Sequence, residues 1–300
     1  MELWQLQQLQ GLPLDIKIEK TKLRIKEWYE AFDGEVYVSF SGGKDSTVLL
    51  HIVRELYPNV KAVFVDTGLE YPEIRNFVKT IDNVVWVRPK MNFKDVIEKY
   101  GYPVISKDVA RNVGDVQKLG QNCWAYKCFT TEMGIYNFKK WTFLIDAPFK
   151  ISNKCCNVMK KTPLNKIKAK PFIGSLACES RQRKTQYLKT GCNAFDAKKK
   201  ISTPLGFWTE QDILTYLKMN NVSYSSIYGD IIEDKGKLKT TGLDRTGCMF
   251  CMFGCHLEKE PNRFQKMKIT HPQIYNYCMK PIEEGGLGLG RVLDYIGVKY

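Results

Sequence analysis

Apolar positions along this chain follow two alternating rhythms. The run "GEVYVSF", ending at Phe40, is short and β-branched, as a buried strand requires. Directly after it, "STVLLHIVRELY" repeats its apolar residues at helical spacing. The pairing recurs twice: "KAVFVD" precedes the helical "PEIRNFVKTI", and "NVVWVRP" precedes "NFKDVIEKYG". Such alternation predicts an α/β fold, a Rossmann-like parallel sheet with helices on both faces. Farther on, residues 108–144 read as mostly helical and aromatic, and "KPFIGSLA" as a returning strand. "TEQDILTYLKMNNV" reads as an amphipathic helix with Thr209 as its N-cap. Residues 1–30 read as a helical lead-in, without the basic–apolar–small order of a signal peptide. From about residue 231 the chain changes character, with Gly, Cys and His. These shifts divide it into a lead-in (1–30), an α/β domain (31–230) and a Cys-bearing C-terminal extension (231–300).

In an open parallel sheet, ligands sit beyond the C-terminal ends of the strands. Two polar segments fall there, "SGGKDS" at 41–46 and "DTGLEYPE" at 66–73. The first joins a strand to a helix through Gly42 and Gly43. It therefore aims backbone N–H groups and a helix N-terminus at one point, which suits an anion such as phosphate. It is not a Walker A loop, because that pattern needs glycine at position 38 and Ser or Thr at 45, where this chain has Val38 and Asp45. Asp66, at the next strand end, is placed either to accept hydrogen bonds from a ribose or an adenine amino group, or to cap the following helix.

Charge sharpens this picture. The chain carries a formal +14, and residues 150–200 hold fourteen Lys or Arg against only Glu179 and Asp196, a net +12. Such concentration favours a polyanionic ligand, from a phosphorylated nucleotide up to tRNA or DNA. No apolar run is long enough to cross a bilayer, so no membrane role is expected. Ten cysteines without an export signal point to a reducing compartment, with the cytoplasm as the expectation, where clustered thiols bind metal or do redox work more often than they form disulfides.

The thiols are grouped. Cys155 and Cys156 are adjacent in "KCCNVMKKTPL", while "RTGCMFCMFGCH" supplies Cys248, Cys251 and Cys255, followed by His256. An adjacent pair plus a distant C-x-x-C makes four thiolates, the number wanted by a [4Fe–4S] cube or a tetrahedral zinc. The larger cube tolerates two neighbouring ligands better than a single zinc ion does. Cys123 and Cys128 are spaced too loosely for this and read as core residues.

On these stretches the chain resembles the phosphoadenosine phosphosulfate (PAPS) reductase family, within the PP-loop group related to ATP pyrophosphatases. "SGGKDST", "VDTGLEYPE", "CCNVMKKTPL", "ACESRQR", "ISTPLGFWTEQDILTYL" and "GCMFC" run in the family's order over roughly residues 35–252. The resemblance implies a phosphate or sulfate cradle at Ser39, Ser41, Gly42, Gly43, Lys44, Asp45 and Ser46, with Lys44 and Asp45 in the chemistry. It places Asp66, Thr67 and Gly68 in the nucleotide pocket, and Glu179, Ser180 and Arg183 on the family's E-S-x-x-R. Cys155, Cys156, Cys248 and Cys251 would hold a [4Fe–4S] cluster, as in the adenylylsulfate-using branch. The implied ligand is ATP, adenylylsulfate or PAPS, with Mg²⁺ beside it, and an electron or sulfur donor protein as partner. The implied activity is sulfonucleotide reduction or ATP-pyrophosphatase-type sulfur transfer. The alternatives are tRNA or DNA sulfur modification, and a non-catalytic nucleotide- or nucleic-acid-binding protein with structural zinc. Two departures stand out. The family's C-terminal Cys-Gly-x-His is absent, leaving Cys255 or Cys278 as substitute nucleophiles, and the arginine expected three residues before Glu179 is Leu176.

Overall fold

The computed structural model describes residues 1–131 and 137–300, so the predicted middle segment is described except for 132–136. Its strands are, in chain order, β1 (Val36–Ser39), β2 (Ala62–Val65), β3 (Val84–Val87), β4 (Val104–Ile105), β5 (Lys170–Ile173), β6 (Ile231–Asp234), β7 (Lys237–Thr240) and β8 (Met252–Phe253). The main sheet has the order β3-β2-β1-β5 and is parallel throughout, with helices on both sides, as the alternating pattern predicts. Helices Lys44–Leu56 and Pro72–Lys79 make the connections between β1, β2 and β3.

The chain forms two compact units. One comprises Met1–Asp66, Glu70–Val87 and Leu164–Thr246, and the other Thr67–Leu69, Arg88–Pro163 and Gly247–Tyr300. The polypeptide therefore leaves the first unit and returns to it, where composition had divided the chain linearly. Segments far apart in sequence pair too weakly in local pattern for such interleaving to be read in advance.

In the first unit the register sets Val38 beside Ala62 and Phe172, and Ala62 beside Val84. Val36, Val38, Ala62, Phe64 and Phe172 share a core with Val48, Leu49, Ile52 and Val53 of helix Lys44–Leu56. The N-terminal lead-in is two helices, Leu3–Gln10 and Leu14–Ala31, because Gly11 and Pro13 interrupt it. Trp28 enters the same core. Buried Lys17 meets the Asp212 carboxylate at 2.7 Å and donates to the Gln10 carbonyl at 2.7 Å. Trp208 Nε1 donates to Thr21 Oγ1 at 2.9 Å. Thr209 caps helix Glu210–Met219, as expected, by accepting from the Asp212 amide at 3.3 Å.

The second unit is organised around residues 102–105. Tyr102 bridges Ile151 in parallel, with Tyr102 N donating to the Lys150 carbonyl at 2.8 Å. Two residues on, β4 pairs in parallel with β8, Val104 beside Met252 and Ile105 beside Phe253. One short segment thus anchors both cysteine-bearing stretches. Helices Lys107–Leu119 and Trp124–Thr130 follow, with a 3₁₀ stretch at Lys139–Asp146. Cys128 is fully buried there, while Cys123 is half-buried as the N-cap residue of the second helix. Among the described residues no helix is long and apolar enough to cross a membrane.

Gly101 makes the anchoring possible. Its φ is +105°, and a Cβ would lie 2.4 Å from the backbone carbon of Lys150. Both the conformation and the close approach require glycine. Gly101→Ala should lower stability by about 1–3 kcal/mol, read as a shift in denaturant midpoint. An unchanged midpoint would show that the 102–151 bridge is not a constraint on this unit.

Candidate functional site: an anion cavity and a gathering of thiols

The loop after β1 closes on itself through its hydroxyls. Ser46 Oγ accepts from the Ser41 amide at 3.2 Å and donates to the Gly43 carbonyl at 2.9 Å, and Thr47 Oγ1 donates to the same carbonyl at 3.0 Å. Gly42 has φ +72°, and a Cβ there would lie 2.8 Å from Ile74 Cγ2 and 2.9 Å from Val78 Cγ2. Its role is to let the loop lie against helix Pro72–Lys79. Gly43 is the N-cap of helix Lys44–Leu56. Weak neutral acceptors occupy amides at that helix start: Ser41 Oγ accepts from Gly43 N at 3.3 Å and the Tyr228 hydroxyl from Lys44 N at 3.3 Å. An anion oxygen is a stronger partner for such amides.

A cavity of about 710 Å³ opens on this loop. Ser41, Gly43, Lys44 and Asp45 line it together with Arg183 and Arg245. Lys44 is buried, with its ammonium 2.6 Å from Glu210 Oε1, bonded to the Asp244 carbonyl, and 5.5 Å from the Tyr228 ring centre. Asp45 is pushed above the ordinary carboxylate range by burial, an effect that Lys44, Arg245 and Arg183 oppose. Glu179 organises the opposite wall. It pairs with Arg183, meets Arg245 at 3.2 Å, and accepts from the Leu176 amide at 2.9 Å. Burial first, then Arg245, works against the charge of Arg183. Two guanidiniums sharing one carboxylate leave positive charge for a further anion. Tyr228, pushed up to about 12 by burial, stays neutral and shares a hydrogen bond of 2.7 Å with Thr246.

The sequence-predicted residues divide accordingly. Ser41, Gly43, Lys44, Asp45 and Arg183 meet in the cavity, while Gly42 and Ser46 shape the loop and Ser39 ends β1. Ser180 caps helix Arg181–Thr190 by accepting from the Arg183 amide at 3.2 Å. Asp66 does not line this cavity, and its carboxylate is held by Arg75 at 3.1 Å. Thr67 and Gly68 belong to the second unit, where Thr67 Oγ1 accepts from the Leu69 amide at 3.2 Å. Leu176, standing where an arginine was expected, is a buried wall residue. Sequence reasoning missed Glu210, Tyr228, Arg245 and Thr246. It also missed Cys178, an exposed thiol lining the cavity, although "ACESRQR" and "TEQDILTYL" contained two of these residues.

In the second unit the thiols come from the two stretches anchored on 102–105. Buried Cys155 is pushed up first by burial and then by its neighbours Cys156, Cys248 and Cys251. The helical turn that starts with this pair passes at once into a π-helical stretch, Asn157–Lys161. Such a widened turn is frequent at functional sites. Arg263 fixes the other stretch by donating to the Cys251 carbonyl at 2.8 Å while its Nε donates to Glu258 at 2.7 Å. Among the described residues, no three His, Cys, Asp or Glu side chains already stand in a ligand arrangement. Cys155, with the Cys156, Cys248 and Cys251 thiols that act on it, nevertheless offers the donor chemistry that an iron–sulfur or zinc centre takes. Cys255 and Cys278 are fully buried and their thiols pushed up by burial, Cys255 to about 11, so neither has the accessibility or thiolate character of a nucleophile.

Residues 35–253 match the phosphoadenosine phosphosulfate reductase domain. The chain belongs to that family. An uncharacterised protein of Methanocaldococcus jannaschii is 24% identical over 286 residues, covering 92% of this chain and 56% of its own. The adenosine 5'-phosphosulfate reductase of Staphylococcus epidermidis is 23% identical over 218 residues, covering 72% of this chain and 74% of its own. A U34-tRNA thiolase from Methanococcus maripaludis, solved with its [4Fe-4S] cluster, superposes with a TM-score of 0.38 at 16% identity, over 95% of this chain and 82% of that one. The chain spans about half the length of two archaeal relatives.

Lys44→Ala should weaken adenine-nucleotide binding about tenfold or more, the worth of one charge-assisted hydrogen bond, without lowering the melting temperature appreciably. Glu210→Gln should preserve or tighten binding, since it frees the same ammonium. Calorimetric titration reads both, and unchanged affinity in Lys44→Ala would remove the loop from the phosphate site.

Proposed function

We propose that this chain binds an adenine nucleotide with its phosphates against residues 41–46 and uses it in sulfur chemistry. In this reading Cys155, Cys156, Cys248 and Cys251 hold a [4Fe–4S] cluster. The observation that carries the reading is the 710 Å³ cavity in which a helix N-terminus, Lys44, Arg183 and Arg245 converge. That arrangement answers phosphate charge and has no use in packing.

In the adenylating form the ligand is ATP. An acceptor oxygen attacks the α-phosphorus, the bond to the bridging oxygen breaks, and pyrophosphate leaves with the electron pair. Lys44 exchanges Glu210 for phosphate and, with the loop amides, meets the charge growing on pyrophosphate. Glu210, so released, is a carboxylate at the cavity able to take the acceptor's proton. Asp45 offers a carboxylate of the kind Mg²⁺ would use beside phosphate oxygens. When bound, the cluster supplies electrons or a thiophilic iron for the sulfur step.

A second reading, sulfonucleotide reduction, is favoured by Cys178. Its exposed thiol lines the cavity beside Arg183. The Cys178 thiolate would attack the sulfate sulfur, the sulfur–oxygen bond to the nucleotide would break, and AMP or its 3'-phosphate would leave. A dithiol protein as electron donor would then reduce the S-sulfocysteine and release sulfite.

One assay separates the two. Protein reconstituted anaerobically is incubated with ATP, adenylylsulfate and PAPS in turn, and pyrophosphate, AMP and sulfite are measured. Pyrophosphate from ATP supports adenylation, whereas sulfite that disappears in Cys178→Ser supports reduction. Neither product from any nucleotide would leave a binding protein.

The thiol assignment has its own test. Wild-type protein purified without oxygen should be brown, absorbing broadly near about 400 nm. Iron should be lost in Cys248→Ser and Cys251→Ser and retained in Cys255→Ser. Iron retained in Cys155→Ser and Cys156→Ser but lost in Cys255→Ser would show that a different set holds the metal.

A further inference from the structure

Arg183 and Leu176 line two cavities. On one side is the phosphate cavity. On the other is a smaller one of about 330 Å³, walled by Leu176, Ala194, Ala197 and Ile201, with Gln186 and Lys199 at its polar side. Helix Arg181–Thr190 supplies part of that wall, and a stretch of three lysines, 198–200, another. We infer that this second cavity receives one splayed nucleotide of a single-stranded nucleic acid, the acceptor for the adenylation proposed above, on which this inference rests.

Three observations point there. The first is size. At about 330 Å³ the cavity lies at the lower end of small-ligand pockets. It suits a single base and its sugar, and is too small for a second nucleotide triphosphate. The second is lining. Apolar walls accept the faces of a base, and the Gln186 amide has both a donor and an acceptor for its edge. The third is charge beyond what one nucleotide needs. Residues 181–200 hold seven Lys or Arg against Asp196 alone. Arg181, Lys184, Lys189, Lys198 and Lys199 are exposed, and among the described residues none has a carboxylate partner. A lone nucleotide would leave most of these cations unused, whereas a strand running across the helix brings one phosphate after another. A base still stacked in a duplex cannot enter a cavity, so the ligand must be single-stranded or locally melted. Leucine at 176 fits this arrangement: an arginine in its place would bring a second guanidinium into the apolar wall.

The test uses the full-length protein and short labelled oligonucleotides of one sequence, as single-stranded RNA, single-stranded DNA and duplex, followed by anisotropy across a salt series. ATP binding is titrated in parallel. Either single strand should bind about tenfold or more tighter than the duplex, and the tighter of the two names the sugar. Ala197→Trp, which fills the cavity without touching charge, should lose most of that preference while keeping its dependence on salt and its affinity for ATP. Lys184→Glu combined with Lys199→Glu should weaken all strands and lower the salt slope by about 1.4 where two single-strand phosphate contacts are lost. If Ala197→Trp melts early, Ala197→Leu replaces it. Equal binding of duplex and single strand, or full single-strand preference in a stable cavity-filled variant, would overturn the inference. Failure of the wild type to bind ATP, with strand preference intact, would instead count against the adenylation reading alone.

Discussion

The site depends on the pairing of β1 with β5. That parallel ladder sets Val38 beside Phe172 and Ser39 beside Ile173, so both strands end at the same level and their following turns must meet. The contact between the turns is close: a Cβ on Gly174 would lie 2.9 Å from the Cα of Ser46. Because of it, the phosphate-type loop of residues 41–46 and the charged segment 176–183 face one cavity. Nothing local in either stretch would bring them together. A register slip of one residue would turn the side chains of β5 to the opposite face and expose Phe172, which is fully buried, so the core itself enforces the alignment.

Within the cavity Lys44, Arg183 and Arg245 each rest on a carboxylate. Lys44 rests on Glu210 and the Asp244 carbonyl, and Arg183 and Arg245 rest together on Glu179. Burying Lys44 without counter-charge would be costly, and Glu210 supplies it. The two partners differ in kind. Glu210 is about half exposed and can swing into water at little cost, whereas Glu179 is 13% exposed and tied to the Leu176 amide. Glu210 therefore behaves as a displaceable placeholder, and Glu179 as a fixed post that keeps two guanidiniums aimed at one place.

How much of this was legible in the sequence follows from range. The strands at 36–39, 62–65, 84–87 and 170–173, the helix behind the loop and the Thr209 cap depend on residues a few positions apart, and period and capping chemistry reveal them. The loop at 41–46 was legible for the same reason. Glu210, Asp244 and Tyr228 were not, since they reach Lys44 from 166 to 200 positions away, and Glu, Asp and Tyr are common enough to carry no signal alone. The partner of Asp66 was not legible either, since Arg75 comes from the next helix. The interleaving of the units was hidden likewise: β4 and β8 are two residues each, too short for any pattern.

Among the cysteines of the described residues, accessibility decides which thiol can act as a nucleophile. A nucleophilic cysteine needs solvent or substrate access and a positive surrounding that favours thiolate. Cys255 and Cys278 lack that access, being fully buried in the second unit, and burial pushes both thiols up. Cys178 has access, and although burial of its surroundings raises its pKa and Asp45 adds to this, Arg245 opposes both. An anionic substrate would reverse part of that balance, because it would draw Arg183 and Arg245 toward the cavity while adding negative charge of its own. A thiol in such a place is therefore not strongly activated at rest. Its reactivity would depend on how the ligand's phosphates engage the two arginines, so nucleotide binding and sulfur chemistry would be coupled through Glu179, the carboxylate both arginines share.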